Sequence, residues 1–122
     1  MRAGRREREQ QLDEAFLALA DPVRRSIVAQ LSRGPATVGE LAAPHPITPQ
    51  AVSRHIRVLE SAGLVTRSRD GQRRPVHLDP AALERLTAWL DRYRTEHERR
   101  FPRQGAALRE QQHEIEGGRR ER

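Results

Sequence analysis

The chain has 122 residues, 33% charged and 35% hydrophobic, with four aromatic side chains and no cysteine. Its 23 basic residues are all arginine and outweigh 17 acids, giving a net charge of +6. That length fits one domain. The lack of cysteine excludes disulfides, thiolate metal sites, cysteine nucleophiles and iron–sulfur clusters.

No apolar run approaches the ~18 residues that span a bilayer, and the basic N-terminus lacks the apolar stretch of a secretory signal. A cytoplasmic, reducing location with no membrane contact is therefore the expectation. Hydrophobic content this low predicts that part of the chain is poorly ordered or completes its core against a partner.

The charge is uneven. Residues 1–11 hold four Arg and two Glu, and residues 103–122 hold five Arg and four Glu. Both ends read as polar tails, a basic one at 1–11 and a second at 102–122. Between Thr48 and His77, six Arg face only Glu60 and Asp70, a local +4. Arginine grips phosphates and guanine edges with paired donors, so this excess favours an anionic polymer as partner.

In chain order, Leu12, Ala15, Phe16 and Leu19 share one face of a first helix that stops near Ala20. Asp21-Pro22 opens a second helix, with Asp as N-cap and Pro at the first helical position. Its inner stripe is Val23, Ile27, Val28 and Leu31, and Gly34-Pro35 ends it. Thr37-Val38-Gly39-Glu40 is a capping box opening a short third helix. After the turn at Pro44-His45-Pro46, Thr48-Pro49 starts a fourth, with Ala51, Val52, Ile56 and Leu59 facing inward and Gly63 as its C′ residue.

The periodicity then changes from helix to strand. Leu64–Arg69 reads as a strand, Asp70-Gly71 as a turn and Arg74–Leu78 as the returning strand. Pro75 suits the outer edge of a two-stranded ribbon, because it cannot donate to a ladder. Asp79-Pro80 caps a last long helix with Leu83, Leu86, Leu90, Tyr93 and His97 on one face and Trp89 beside them. The fold class is mainly α with a two-stranded β-wing (α+β). It is a winged helix-turn-helix of about five helices and one hairpin across residues 12–101.

This order suits duplex DNA. A helix fits the major groove, where all four base pairs present distinct donor and acceptor patterns. The outer face of the fourth helix carries Gln50, Ser53, Arg54 and Arg57. Gln50 matches adenine and Arg54 matches guanine in bidentate fashion. Ser53 reaches a base edge or a phosphate, and Arg57 a phosphate. Thr48 stands at the helix start, where hydroxyl and amide groups meet phosphate. A wing bearing Arg67, Arg69, Arg73 and Arg74 reaches an adjacent phosphate ridge or the minor groove.

Several segments resemble the ArsR family of small bacterial repressors. They are Ala18-Leu19-Ala20-Asp21-Pro22-Val23-Arg24-Arg25-Ser26-Ile27, Thr37–Ala42, Ala51–Glu60 and Ala62-Gly63-Leu64-Val65. The resemblance implies a homodimeric repressor on a two-fold symmetric, inverted-repeat operator, with the first and last helices forming the interface. Leu12, Phe16, Leu83, Leu86, Trp89, Leu90 and Tyr93 are the dimerisation candidates.

Metal-sensing members place thiolates after a Glu-Leu pair, whereas this chain has Glu40-Leu41-Ala42-Ala43. Other members use paired ligands on the last helix, where this chain offers Asp91-Arg92-Tyr93 and a lone His97. Trp89–Arg94 resembles the metal-independent branch often encoded beside lipid- or hydrophobe-binding barrel proteins. No catalytic residues, metal ligands, cofactor or particular effector follow from these motifs. The open alternatives are a metal- or metabolite-sensing repressor with an intersubunit site, such as His97 with Asp91, and a winged-helix RNA- or protein-binding module.

Overall fold

A computed structural model describes residues 2–102. The tail expected beyond Pro102 lies outside the described residues. Elements follow in the order α1 Arg2–Ala18, α2 Pro22–Leu31, α3 Val38–Ala42, α4 Pro49–Ser61, β1 Val65–Arg67, β2 Val76–Leu78 and α5 Pro80–Arg100. The chain divides into two units, Met1–Leu86 and Thr87–Arg122.

α1 begins much earlier than its apolar stripe, so residues 2–11, expected as part of an N-terminal tail, are helical. Arg5 to Gln11 are all exposed, and no core holds them. Arg, Glu and Gln are strong helix formers. Arg5 Nε also lies 3.8 Å from Glu9 Oε1 at the i,i+4 spacing that supports a helix locally. Further along, Ala15 and Ala18 are the buried residues, Leu12 and Leu19 pack partly against them, and Phe16 stays exposed. The small alanines let the helix backbone approach the core closely, which turns the bulkier Phe16 outward.

The α1–α2 corner is built by the arginines that follow Pro22. Asp21 Oδ2 accepts from Arg24 N at 3.0 Å and caps α2. Arg24 Nε donates to Ala18 O at 2.6 Å, and Arg25 Nη1 donates to Leu19 O at 2.9 Å. These cations satisfy carbonyls that the end of α1 leaves without intrahelical partners.

The core of the first unit gathers Ile27 and Leu31 from α2, Leu41 from α3, and Val52, Ile56 and Leu59 from α4. Leu64, Val65, Val76, Ala82 and Leu86 join them, with Ala15, Ala18, Ala42 and Ala62. Burying each large aliphatic contributes about 1.5–3 kcal/mol. No polar or charged residue is buried among the described ones.

The wing pairs antiparallel, Val65 with Leu78, Thr66 with His77 and Arg67 with Val76. Its tip closes through reciprocal hydrogen bonds between Asp70 and Arg73, both 3.0 Å. The central turn residues are therefore Gly71 and Gln72 rather than Asp70 and Gly71. Gly71 takes φ +64°, a left-handed conformation that favours glycine. Nor is β2 an outer edge throughout. Val76 N donates to Ala36 O at 2.7 Å and Ala36 N donates to Val76 O at 3.2 Å. The segment leading into α3 thus pairs with the second side of β2.

The second unit carries the remainder of α5. Trp89 and Tyr93 meet edge to face with ring centroids 4.8 Å apart. His97, Arg99 and Arg100 occupy the last turn, where the helix dipole favours cations. Leu90, Tyr93 and Phe101 are large apolar side chains left exposed.

Candidate nucleic-acid interface

α4 is fixed at its start by Thr48, whose Oγ1 accepts from Ala51 N at 3.1 Å. Pro49 follows with its φ already helical and no N–H to satisfy. With roughly 100° between successive residues, Val52, Ile56 and Leu59 fall on one face and Gln50, Ser53, Arg54 and Arg57 on the other. The first three are fully buried. Gln50, Arg54 and Arg57 are exposed and Ser53 is half-buried. Arg54 and Arg57 take no ion-pair partner among the described residues, so their guanidinium donors remain available to a ligand.

The wing arginines are not equivalent. Arg69 and Arg74 are exposed and also lack ion-pair partners among the described residues. Arg67 Nε stands 3.6 Å from Glu60 Oε1 at the end of α4. Arg73 Nη2 stands 2.7 Å from Glu40 Oε1 on α3. The same carboxylate closes the capping box expected from the residues. Glu40 Oε1 accepts from Thr37 N at 3.1 Å, and Glu40 N donates to Thr37 Oγ1 at 3.3 Å. The Thr37 N–H first, then the Thr37 hydroxyl donating to the same oxygen at 2.9 Å, together with the charge of Arg73, hold the Glu40 carboxyl below the ordinary carboxylate range.

A second polar cluster joins α4 to the α1–α2 corner. Arg24 Nη1 lies 3.3 Å from His55 Nδ1, and that nitrogen lies 3.9 Å from Asp21 Oδ2. The Asp21 carboxyl is lowered by the Arg24 backbone N–H. The charges of His55 and Arg24 help, against the opposing cost of desolvation. Arg24 and His55 escaped the sequence reading because they are 31 positions apart. Only the Asp-Pro helix start beside Arg24 hinted that this corner carries structure.

Comparison with known proteins places this geometry in a family. A helix-turn-helix domain family matches residues 19–68. The HTH-type transcriptional regulator Rv2034 of Mycobacterium tuberculosis (strain ATCC 25618 / H37Rv) is 48% identical over 83 residues, 68% of this chain and 78% of its own length. A crystal structure of the ArsR family transcriptional regulator RHA00566 superposes with a TM-score of 0.68 at 37% identity, over 74% of this chain and 93% of that one. The chain belongs to the ArsR family.

A solution structure of the homodimeric winged helix-turn-helix DNA-binding domain of Mb0332 from Mycobacterium bovis, a possible ArsR-family transcriptional regulator, is also similar. It is 27% identical with a TM-score of 0.58, covering 72% of this chain and 82% of that one. The winged helix-turn-helix expected from the residues is thus the fold observed. Where metal-sensing ArsR members carry thiolates, this ArsR-family chain has a buried Ala42 and an exposed Ala43.

The described histidines have other surroundings. His77 Nε2 lies 2.6 Å from Ser68 Oγ on the wing, and the His97 and Phe101 rings lie 4.9 Å apart, tilted by 37°. Among the described residues, no three His, Asp or Glu side chains gather as a metal group would.

The dimerisation candidates separate by burial. Leu86 belongs to the core of its own chain, and Leu12 and Leu83 pack partly against that core. Trp89 is half-buried, while Phe16, Leu90 and Tyr93 remain exposed. No described helix is long and apolar enough to cross a membrane.

Proposed function

We propose that this ArsR-family chain is a homodimeric transcriptional repressor that reads an inverted-repeat operator through the major groove. The observation that carries the reading is the division of α4. A buried aliphatic face fixes the helix, and the opposite face presents Gln50, Ser53, Arg54 and Arg57, with neither arginine in an ion pair among the described residues. Gln50, Ser53 and Arg54 read base edges, while Arg57 and Thr48 take phosphates. Arg69 and Arg74 extend the grip from the wing to the neighbouring backbone or minor groove. An enzymatic role is not part of this reading, and its setting is the cytoplasm at the nucleoid.

Dimer formation draws on apolar side chains that the protomer leaves outside its core. Leu90 and Tyr93 on α5 are each about half exposed, and Phe16 on α1 is a third exposed. Replacing Leu90 and Tyr93 together by Glu converts the dimer to monomers in sedimentation, because the charges would have to be buried unpaired. Leu86→Glu tests folding instead, since Leu86 sits in the protomer's own core.

The direct test is recovery and sequencing of genomic duplex fragments bound by the purified protein near physiological salt. An enriched inverted repeat with half-sites about one helical turn apart supports the reading. Absence of any enriched duplex motif, with RNA retained instead, overturns it. A-form RNA's deep, narrow major groove does not admit a reading helix.

A further inference from the structure

The Arg73–Glu40 contact joins residues 33 positions apart and fastens the wing tip to the start of α3. Its acid is fixed before the arginine arrives, because Glu40 Oε1 already accepts from both Thr37 N and Thr37 Oγ1, at 3.1 and 2.9 Å. At the other end of the hairpin, Arg67 reaches Glu60 at the end of α4. The ribbon is therefore tied to both helices of the helix-turn-helix.

The root of the wing is fixed by buried Val65 and Val76 and by the pairing of Val76 with Ala36, but little else holds the part that projects beyond it. Residues 66–74 are exposed throughout. Beyond β1 and β2 the hairpin is closed by Ser68 N donating to Pro75 O and by the Asp70–Arg73 pair. These bonds hold its two arms together and do not orient them against α4. A two-stranded ribbon twists readily on its own.

We propose that the Glu40–Arg73 pair is a strut that sets the angle of the wing against the DNA. Both are positioning residues, and Arg69 and Arg74 are the wing's phosphate contacts. The inference rests on the DNA-binding reading above. Charge supports the division of labour. A phosphate placed on Arg73 would bring a second anion beside the ionised Glu40 carboxylate, and like charges at that range repel. Arg69 and Arg74 form no ion pair among the described residues. Because both partners of the strut are largely exposed, it adds little to global stability and acts on orientation.

The test uses the full chain, its selected operator and an unrelated duplex, with Glu40→Gln, Arg73→Gln, their double variant, Arg69→Gln and Arg54→Ala. Glutamine serves in a capping box, so Glu40→Gln removes the charge and keeps the acceptor for Thr37. Each strut variant weakens operator binding by about 2- to 5-fold, and the double variant is no weaker than either single one.

Salt dependence separates positioning from contact. The slope of log affinity against log salt stays at the wild-type value for Glu40→Gln and Arg73→Gln, whereas Arg69→Gln lowers it by about 1. Thermal midpoints stay within about 2 °C of wild type. Tighter binding by Glu40→Gln, or a slope lowered by Arg73→Gln, overturns the strut and makes Arg73 a phosphate contact. If Arg69→Gln and Arg54→Ala leave binding to every duplex unchanged, the DNA-binding reading itself has failed, and the strut with it.

Discussion

α4 and the wing carry the same cation and use it differently. On α4, Arg54 and Arg57 project from a helix locked by a buried stripe, and among the described residues neither guanidinium pairs with an acid. On the wing, two of four arginines pair with acids of neighbouring helices before any ligand arrives. The helix takes its orientation from its core, so its cations are left for recognition. The hairpin tip has no core, and part of its charge is used to hold it in place. Counting arginines thus overstates the surface available to an anion, and their partners decide which of them contribute.

The largest expected effect contrasts the two faces of α4. Ile56→Ala leaves a cavity in the core and lowers unfolding free energy by about 2–5 kcal/mol, read by urea denaturation. Two positions earlier, Arg54→Ala leaves that free energy unchanged and lowers operator affinity by about 1–3 kcal/mol, relaxing preference at one base per half-site. A stability loss from Arg54→Ala equal to that from Ile56→Ala would break the assignment of opposite faces.

A smaller effect compares the two lowered carboxyls. Asp21 and Glu40 titrate below their ordinary ranges when folded, so each favours the native state once ionised. Their contribution is complete above the unfolded carboxylate range and is lost as pH falls through it and then through the lower folded values. Denaturation midpoints therefore hold near neutral pH and decline in acid. Asp21→Asn and Glu40→Gln each flatten part of that decline. An unchanged decline in both variants would show that other carboxylates govern it.

Much of the architecture was legible because it is local chemistry. Asp21-Pro22, Thr37 with Glu40, and Thr48-Pro49 each mark a helix start within four residues, and all three caps form as the residues indicate. The outer face of α4 was equally plain, since helical spacing alone separates Gln50, Ser53, Arg54 and Arg57 from the aliphatic stripe. What escaped depends on residues far apart in the chain. Arg24 with His55, Arg73 with Glu40, and Ala36 with Val76 meet only once the helices have packed. Glu40 shows the difficulty well. The capping box accounts for it completely at short range, so nothing in the residues asked for a second partner. α1 erred in the opposite direction, because exposed Arg and Glu extend a helix where no apolar stripe announces one.

The double pairing of Val76 has a consequence for the kinetics of local opening. Its amide is bonded across to Ala36, which lies forty residues away in the chain, and its side chain is fully buried. Releasing that amide to solvent requires separating the segment before α3 from the sheet, an event that disrupts the core. The amides of Asp70 and Arg73, held only to each other at an exposed tip, open by fraying. Deuterium uptake at the root of the hairpin is therefore governed by unfolding of the whole unit, while uptake at the tip is orders of magnitude faster.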